Sequence, residues 1–289
     1  MNTSTNISIS IDDENITDSS YAGSVMNVVE WIIICFGLPL TLVTIAAVYS
    51  LIRKDHVAPV YIINLLVSDL IQLCCLTASK ANVDGLLILC FYFFSLMLSV
   101  GFMVCISLER YLTIAWPLWY RFRRNINTSV VVCVVVWILP LVYVLPFYFS
   151  VNVKVTETIL AVYLLLPFPL FLFFLVGTIK ALSAAHSVPA DEKRRIVAIL
   201  VVLLLIYMLL FLPNIIWLLS EEARNNEIYF KSSFILLHFS PLADLSMYIF
   251  IRKGATDKLL KSLCCKMSTS QQMSSMSNDT MSASCTQTL

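Results

Sequence analysis

Seven apolar runs dominate the chain, at about 26–52, 58–79, 86–112, 129–149, 156–182, 195–219 and 229–252, with short polar segments between them. Each reaches the ~20 mostly apolar residues that a helix needs to cross a bilayer. The connections are short: about five residues at 53–57, about six at 150–155 and about a dozen between the fifth and sixth runs. Short connections make neighbouring helices antiparallel. The pattern predicts an all-α membrane protein, a seven-transmembrane helix bundle whose termini lie on opposite sides.

Composition sharpens this. Of 289 residues, 59% are hydrophobic and only 13% charged, well below the quarter that is usual in water-soluble domains. Residues 1–25 read as a polar, acidic tail, 26–252 as the bundle, and 253–266 as an amphipathic helix on the membrane surface. Residues 267–289, rich in Ser, Thr, Gln and Met, read as a disordered tail. No cleavable signal is expected at the start, so the first span directs insertion. With the C-terminus inside, cytoplasmic segments hold 15 of the 19 Lys and Arg, leaving Lys80, Lys154, Arg224 and Lys231 outside. That asymmetry puts the N-terminus outside, where Asn2, Asn6 and Asn15 each begin a glycosylation sequon. The sequons at Asn127 and Asn278 fall on the cytoplasmic side and should stay bare. None of the nine cysteines lies in an outer loop, so no loop disulfide is expected.

Ionisable groups inside a membrane are costly, at ~2.5–3.5 kcal/mol each on insertion scales, and therefore mark function. Asp69 lies mid-span in the second run, and Asp244 and His238 lie in the seventh. Two carboxylates sharing a site call for a bound cation such as Na+ at Asp69, or for a proton on one of them, with Ser99 and Ser240 as neighbours. In the third run Tyr92, Ser95, Ser99, Met103, Ile106 and Arg110 recur at spacings of three and four, which puts them on one helical stripe. Arg110 ends that stripe at the inner membrane edge with Glu109 beside it. The bland alternative is an arginine that merely snorkels to anchor its helix.

Glu109-Arg110-Tyr111 resembles the E/DRY motif of rhodopsin-like (class A) G-protein-coupled receptors. Asn64-Leu65-Leu66-Val67-Ser68-Asp69 is similar to that family's second-span NLxxxD, Trp137 to its fourth-span tryptophan and Pro169 to its fifth-span proline. Phe211-Leu212-Pro213 stands in the place of CWxP, and Asp244 to Tyr248 in that of N/DPxxY. Cys264-Cys265 resembles its palmitoylation site. The likeness runs from about residue 30 to 265. The stretch WPLWYRFRR, with Trp119, resembles the Mas-related receptors, and RKDHVAPVYIINLLVSDL is similar to the nucleotide, lipid and proton receptor branch. The resemblance implies a plasma-membrane receptor that couples to heterotrimeric G proteins through Glu109, Arg110, Tyr111, Trp119 and Tyr248. It implies that the sixth span swings out on activation. Arrestin and receptor kinases are partners suggested by the composition of the Ser/Thr tail, and membrane lipid surrounds the bundle. No nucleic-acid partner is expected.

The chain departs from the family pattern at Thr41, Gly85, Phe211 and Leu245, which stand where an asparagine, a disulfide cysteine, a tryptophan and a proline are usual. Lys193 lies near the position of an acid that often restrains the arginine, so a weakly restrained inactive state with basal signalling is expected. The outer half of the bundle should hold a ligand pocket of Tyr92, Phe93, Leu96, Asn214, Leu218, Phe234 and His238. Such a pocket is apolar with a few polar groups, which suits a lipid, a hydrophobic small molecule or a peptide. For each aromatic taken singly, plain core packing is an equal reading. Outer acids outnumber outer bases, which would steer a cationic ligand inward. No histidine occurs in the outer segments to act as a pH sensor. The rival class is a small transporter or channel using Asp69 and Asp244. The chain has only six glycines and no evident repeat of the kind that broken transporter helices show. No enzyme motif is present, so catalysis and a catalytic cofactor are not expected.

Overall fold

The computed structural model describes the backbone of residues 4–55, 60–81, 84–116, 126–149, 152–184, 190–246 and 248. It describes the side chains of 23–50, 60–81, 84–116, 128–149, 152, 154–183, 196–246 and 248. Among the described residues six helical stretches are long and apolar enough to cross a membrane: Gly23–Ser50, Val60–Ser79, Gly85–Ala115, Thr128–Tyr148, Lys154–Ser183 and Ile196–Leu219. The seventh segment is the helix Glu227–His238, a turn at Phe239, and further helix over 240–246. The fold is an all-α, seven-transmembrane bundle. A contact-based division gives two compact units, Met1–Met247 with the bundle and Tyr248–Leu289.

The first helix runs Ser4–Asp55, through most of the stretch expected as a tail. Residues 4–22 contain neither Pro nor Gly to stop it. Elsewhere proline sets the breaks. The fourth span divides into Ile126–Ile138 and Leu141–Tyr148 around Pro140. The fifth divides into Val153–Leu165 and Pro167–Ala184, with Pro167 opening its second half. In the seventh, Pro241 has no N–H for the carbonyl four residues back, and Phe239 N–H turns instead to the Leu236 carbonyl at 3.1 Å. The continuous run expected over 229–252 is therefore interrupted at Phe239. Side-chain caps close three exposed helix starts: Asn152 accepts from Lys154 N–H, Ser220 from Ala223 N–H, and Asn226 from Tyr229 N–H.

The third span is the axis. Its most apolar window is 67% buried, against 22–33% for the fourth, fifth and sixth spans, so it lies inside the ring of the others. Leu96, Met97, Leu98, Phe102 and Met103 fill its surroundings. The outer faces remain apolar and uncovered, with Phe36, Val43, Phe173, Leu205 and Leu209 all exposed. A water-soluble protein would not leave such faces bare, whereas lipid covers them at no cost. The chain is a multi-pass membrane protein.

Candidate functional site

The stripe on the third span carries four levels of chemistry. Tyr92, Ser95, Ser99, Met103 and Ile106 are all buried and face neighbouring helices. Ser95 returns its hydroxyl to the Tyr92 carbonyl at 2.8 Å, satisfied within its own helix. Ser99 does not. Its hydroxyl reaches the seventh span and donates to Asp244 Oδ2 at 2.8 Å in a site closed to water.

Asp69, from the second span, is fully buried and within direct electrostatic reach of Asp244. Neither of its oxygens has a hydrogen-bond donor; Ser240 Oγ, four residues before Asp244 on the seventh span, is also buried without a partner. Two carboxylates cannot bond to each other without something positive between them. The groups brought together here, Asp69, Asp244 and Ser99, offer only oxygen, which fits a small hard cation such as Na+ as well as a shared proton; Ser240 is the fourth donor expected from the sequence. Thr41 of the first span and Gln72 of the second are likewise fully buried with unmet side-chain atoms.

Above this centre lies a cavity of about 320 Å³ between the third to seventh spans. Phe93 forms its hub, meeting Tyr143, Phe147 and Phe234 edge-to-face with centroids 5.7, 6.0 and 6.3 Å away. Trp217 closes the far wall against Phe230 and Phe234. Phe93, Asn214, Leu218 and Phe234 line the cavity as expected from the sequence; Tyr92, Leu96 and His238 do not. Leu96 is fully enclosed in the core, and Tyr92 turns toward the seventh span, its ring edge-on to His238 at 5.4 Å.

His238 belongs to a different cluster. Its Nδ1 is 3.4 Å from Glu30 Oε1, and Glu30 also pairs with Lys80, whose Nζ donates to Asn27 Oδ1 at 2.6 Å. Glu30 lies inside the first apolar run and was not among the intramembrane charges singled out from the sequence. Antiparallel geometry held the signal. Glu30 precedes Ser50 by 20 residues and Lys80 follows Val60 by the same number, so equal helical rise brings opposite charges to one height.

At the inner end, Arg110 is partly buried and its Nε has no hydrogen-bond partner. Tyr111 packs on the fifth span, stacked on Phe174 and edge-on to Phe173, both at 5.8 Å. Gly177 makes room, since a Cβ there would stand 2.6 Å from the tyrosine ring. Trp119, Lys193, Cys264 and Cys265 have side chains outside the described residues, as have Asn2, Asn6 and Asn15; Tyr248 begins the second unit. At the sixth span, Phe211 stacks on Tyr207 at 4.8 Å, and the Tyr207 hydroxyl donates to the Leu164 carbonyl of the fifth.

This arrangement meets a match in known proteins. Residues 40–159 match the family described as 7 transmembrane receptor (rhodopsin family). That match takes in about two-fifths of the chain, and the relatives it resembles are receptors of this kind. Mas-related G-protein coupled receptor member A6 of Mus musculus is 35% identical over 92 residues, 28% of this chain and 31% of the relative. Member A4 of the same species is 26% identical over 217 residues, covering 66% of this chain and 69% of the relative. G-protein coupled receptor 68 of Mus musculus is 25% identical over 266 residues, covering 76% and 71%. The chain thus spans about three-tenths of the length of the Mas-related relatives it matches at the higher identity. The kin it resembles are receptors and not enzymes.

Proposed function

We propose that this chain is a G-protein-coupled receptor of the plasma membrane, with its N-terminus outside and its tail in the cytoplasm. The observation that carries the reading is the stripe on the third span, buried from Tyr92 to Ile106 and ending at the partly buried Arg110. It runs from the aromatic level at Tyr92 and Phe93, through the Ser99–Asp244 bond at 2.8 Å, to Arg110 at the inner edge. A ligand in the outer cavity, a lipid, hydrophobic small molecule or peptide, presses on Phe93, Asn214 and Phe234 of three different spans. Differential contact of that kind is what lets a ligand shift one helix arrangement toward another.

The sixth span is the moving part. It carries Pro213 inside its helix, and among the described residues its polar ties to neighbours include Tyr207 to the Leu164 carbonyl and Tyr229 of the seventh span to the Pro213 carbonyl at 3.1 Å. Outward movement of its inner end frees Arg110 and Tyr111 to meet a heterotrimeric G protein, and the family resemblance suggests Trp119 and Tyr248 as further coupling residues. Lys193 in place of a restraining acid favours basal activity. Na+ held by Asp69, Ser99, Ser240 and Asp244 would supply the positive charge that the paired carboxylates lack and so favour the resting arrangement. Glycans on Asn2, Asn6 and Asn15, and acyl chains on Cys264 and Cys265, complete the reading, with arrestin and receptor kinases at the Ser/Thr tail. The transporter reading of Asp69 and Asp244 is not favoured, since the similar proteins are receptors.

The test is nucleotide exchange by purified heterotrimers on the chain in nanodiscs. Acceleration over empty discs by any one heterotrimer class supports the proposal. Failure of every class, with correctly folded protein present, overturns it.

A further inference from the structure

The outer cavity has a polarity that selects among ligand classes. The charged groups at or beside its wall cancel. Glu157 Oε2 pairs with Arg224 Nη1 at 2.9 Å. Arg224 also donates from Nη2 to the Leu218 carbonyl at 2.8 Å and lies over the Trp217 ring at 5.9 Å. An ammonium would find in Glu157 a carboxylate whose charge Arg224 already neutralises, and a carboxylate would have to compete for Arg224 with three partners.

What the wall leaves unmet is donors. Asn214 Nδ2 and Trp217 Nε1 are both buried without a hydrogen-bond partner, and the Asn214 side chain is 1% exposed. The two residues lie three apart on the sixth span, hence on one face of it, and both line the cavity. An indole N–H can only donate, so a ligand hydroxyl or amine hydrogen does nothing for it. The other polar groups at the wall, the Tyr143 and Thr156 hydroxyls, donate or accept as a partner requires. All other lining side chains are apolar or aromatic.

We infer that the cavity takes an uncharged, mainly hydrocarbon ligand carrying an acceptor oxygen, such as a ketone, ester or amide carbonyl, which receives the Asn214 and Trp217 N–H groups. This rests on the reading of the cavity as the ligand site. The volume is at the small end of the ~300–1,000 Å³ range of small-molecule pockets, so the carbonyl comes on a short chain or a compact ring system.

A matched ten-carbon series tests it: decan-2-one, decane, decylamine and decanoate, titrated into the full chain in nanodiscs and read as the ligand-dependent shift in unfolding temperature. Asn214→Leu and Trp217→Phe are run in the same lipid, so differences between proteins report the site and not partition into the bilayer. The expected result is a tenfold or greater loss of decan-2-one affinity in Asn214→Leu and a smaller loss in Trp217→Phe, which keeps an aromatic ring while removing the donor and the five-membered part of the indole. Decane and decylamine should bind all three proteins alike. Tighter binding of decylamine or decanoate than of the ketone to the wild-type chain overturns the inference. So does a ketone that fails to distinguish the proteins, or gives no shift at all. If Asn214→Leu fails to fold, Trp217→Phe decides alone. G-protein activation by the wild-type chain is measured separately: its absence sinks the receptor reading whatever the ketone does, and its presence beside a failed ketone preference sinks only the ligand class.

Discussion

Glu30 ties three helices at the outer end, and removing its charge while keeping its shape, Glu30→Gln, gives a quantitative test. Lys80 loses its counter-ion and His238 Nδ1 loses a carboxylate 3.4 Å away. Two unit charges about 4 Å apart attract by ~4 kcal/mol at an effective dielectric of ~20. Breaking a fully buried pair costs about 3–5 kcal/mol, whereas an exposed pair is worth about 0–1. Glu30 is 7% exposed but Lys80 is 21%, and Lys80 keeps Asn27 at 2.6 Å, so the loss falls between these limits, at ~2 kcal/mol. Unfolding in nanodiscs would read this as a drop of several degrees. Lys80→Met should cost a similar amount, and the double variant should fall short of the sum by about 1 kcal/mol, because the second change removes a charge the first had already orphaned. Strict additivity of the two would refute the tie.

Three further outcomes follow. Gly177→Ala drives a Cβ into the Tyr111 ring at 2.6 Å, so it should destabilise the chain by ~1–3 kcal/mol and lower G-protein activation; unchanged unfolding and signalling would count against the Tyr111 dock. Asp69→Asn should abolish any gain in unfolding temperature on replacing choline chloride by NaCl, a gain expected in the wild type from the all-oxygen donor set at Asp244 and Ser99; equal response of both proteins would place the ion elsewhere. Successive Asn2→Gln, Asn6→Gln and Asn15→Gln changes should each remove one glycosidase-sensitive step in gel mobility, and no step at all would argue against an outside N-terminus.

Periodicity made the spans and the third-span stripe legible, because a helix in lipid must show its polar residues on one face and its apolar residues elsewhere. Ser99 was readable as a neighbour of the carboxylates for the same reason: it sits on that stripe one turn below Ser95. Residues paired across spans were harder. Glu30 reads as one more residue of an apolar run until its height is compared with that of Lys80 on the antiparallel neighbour. The cavity was half legible. Phe93, Asn214, Leu218 and Phe234 follow from depth, but Tyr143 and Phe147 lie beyond the break at Pro140 and Trp217 is one turn from Asn214, placements that spacing alone does not fix. His238 was placed at the right depth and on the wrong side, since the turn at Phe239 directs it toward Glu30.

The receptor reading stands or falls most directly on Arg110. Basal activation across a panel of G-protein biosensors would be compared between the wild-type chain and Arg110→Ala at matched surface level. Signalling above empty cells in at least one G-protein class, lost on Arg110→Ala, is the expected result. Signals equal to empty cells from both, with the protein at the surface, would contradict basal activity, and a wild-type signal that survives Arg110→Ala would contradict the role given to the third span.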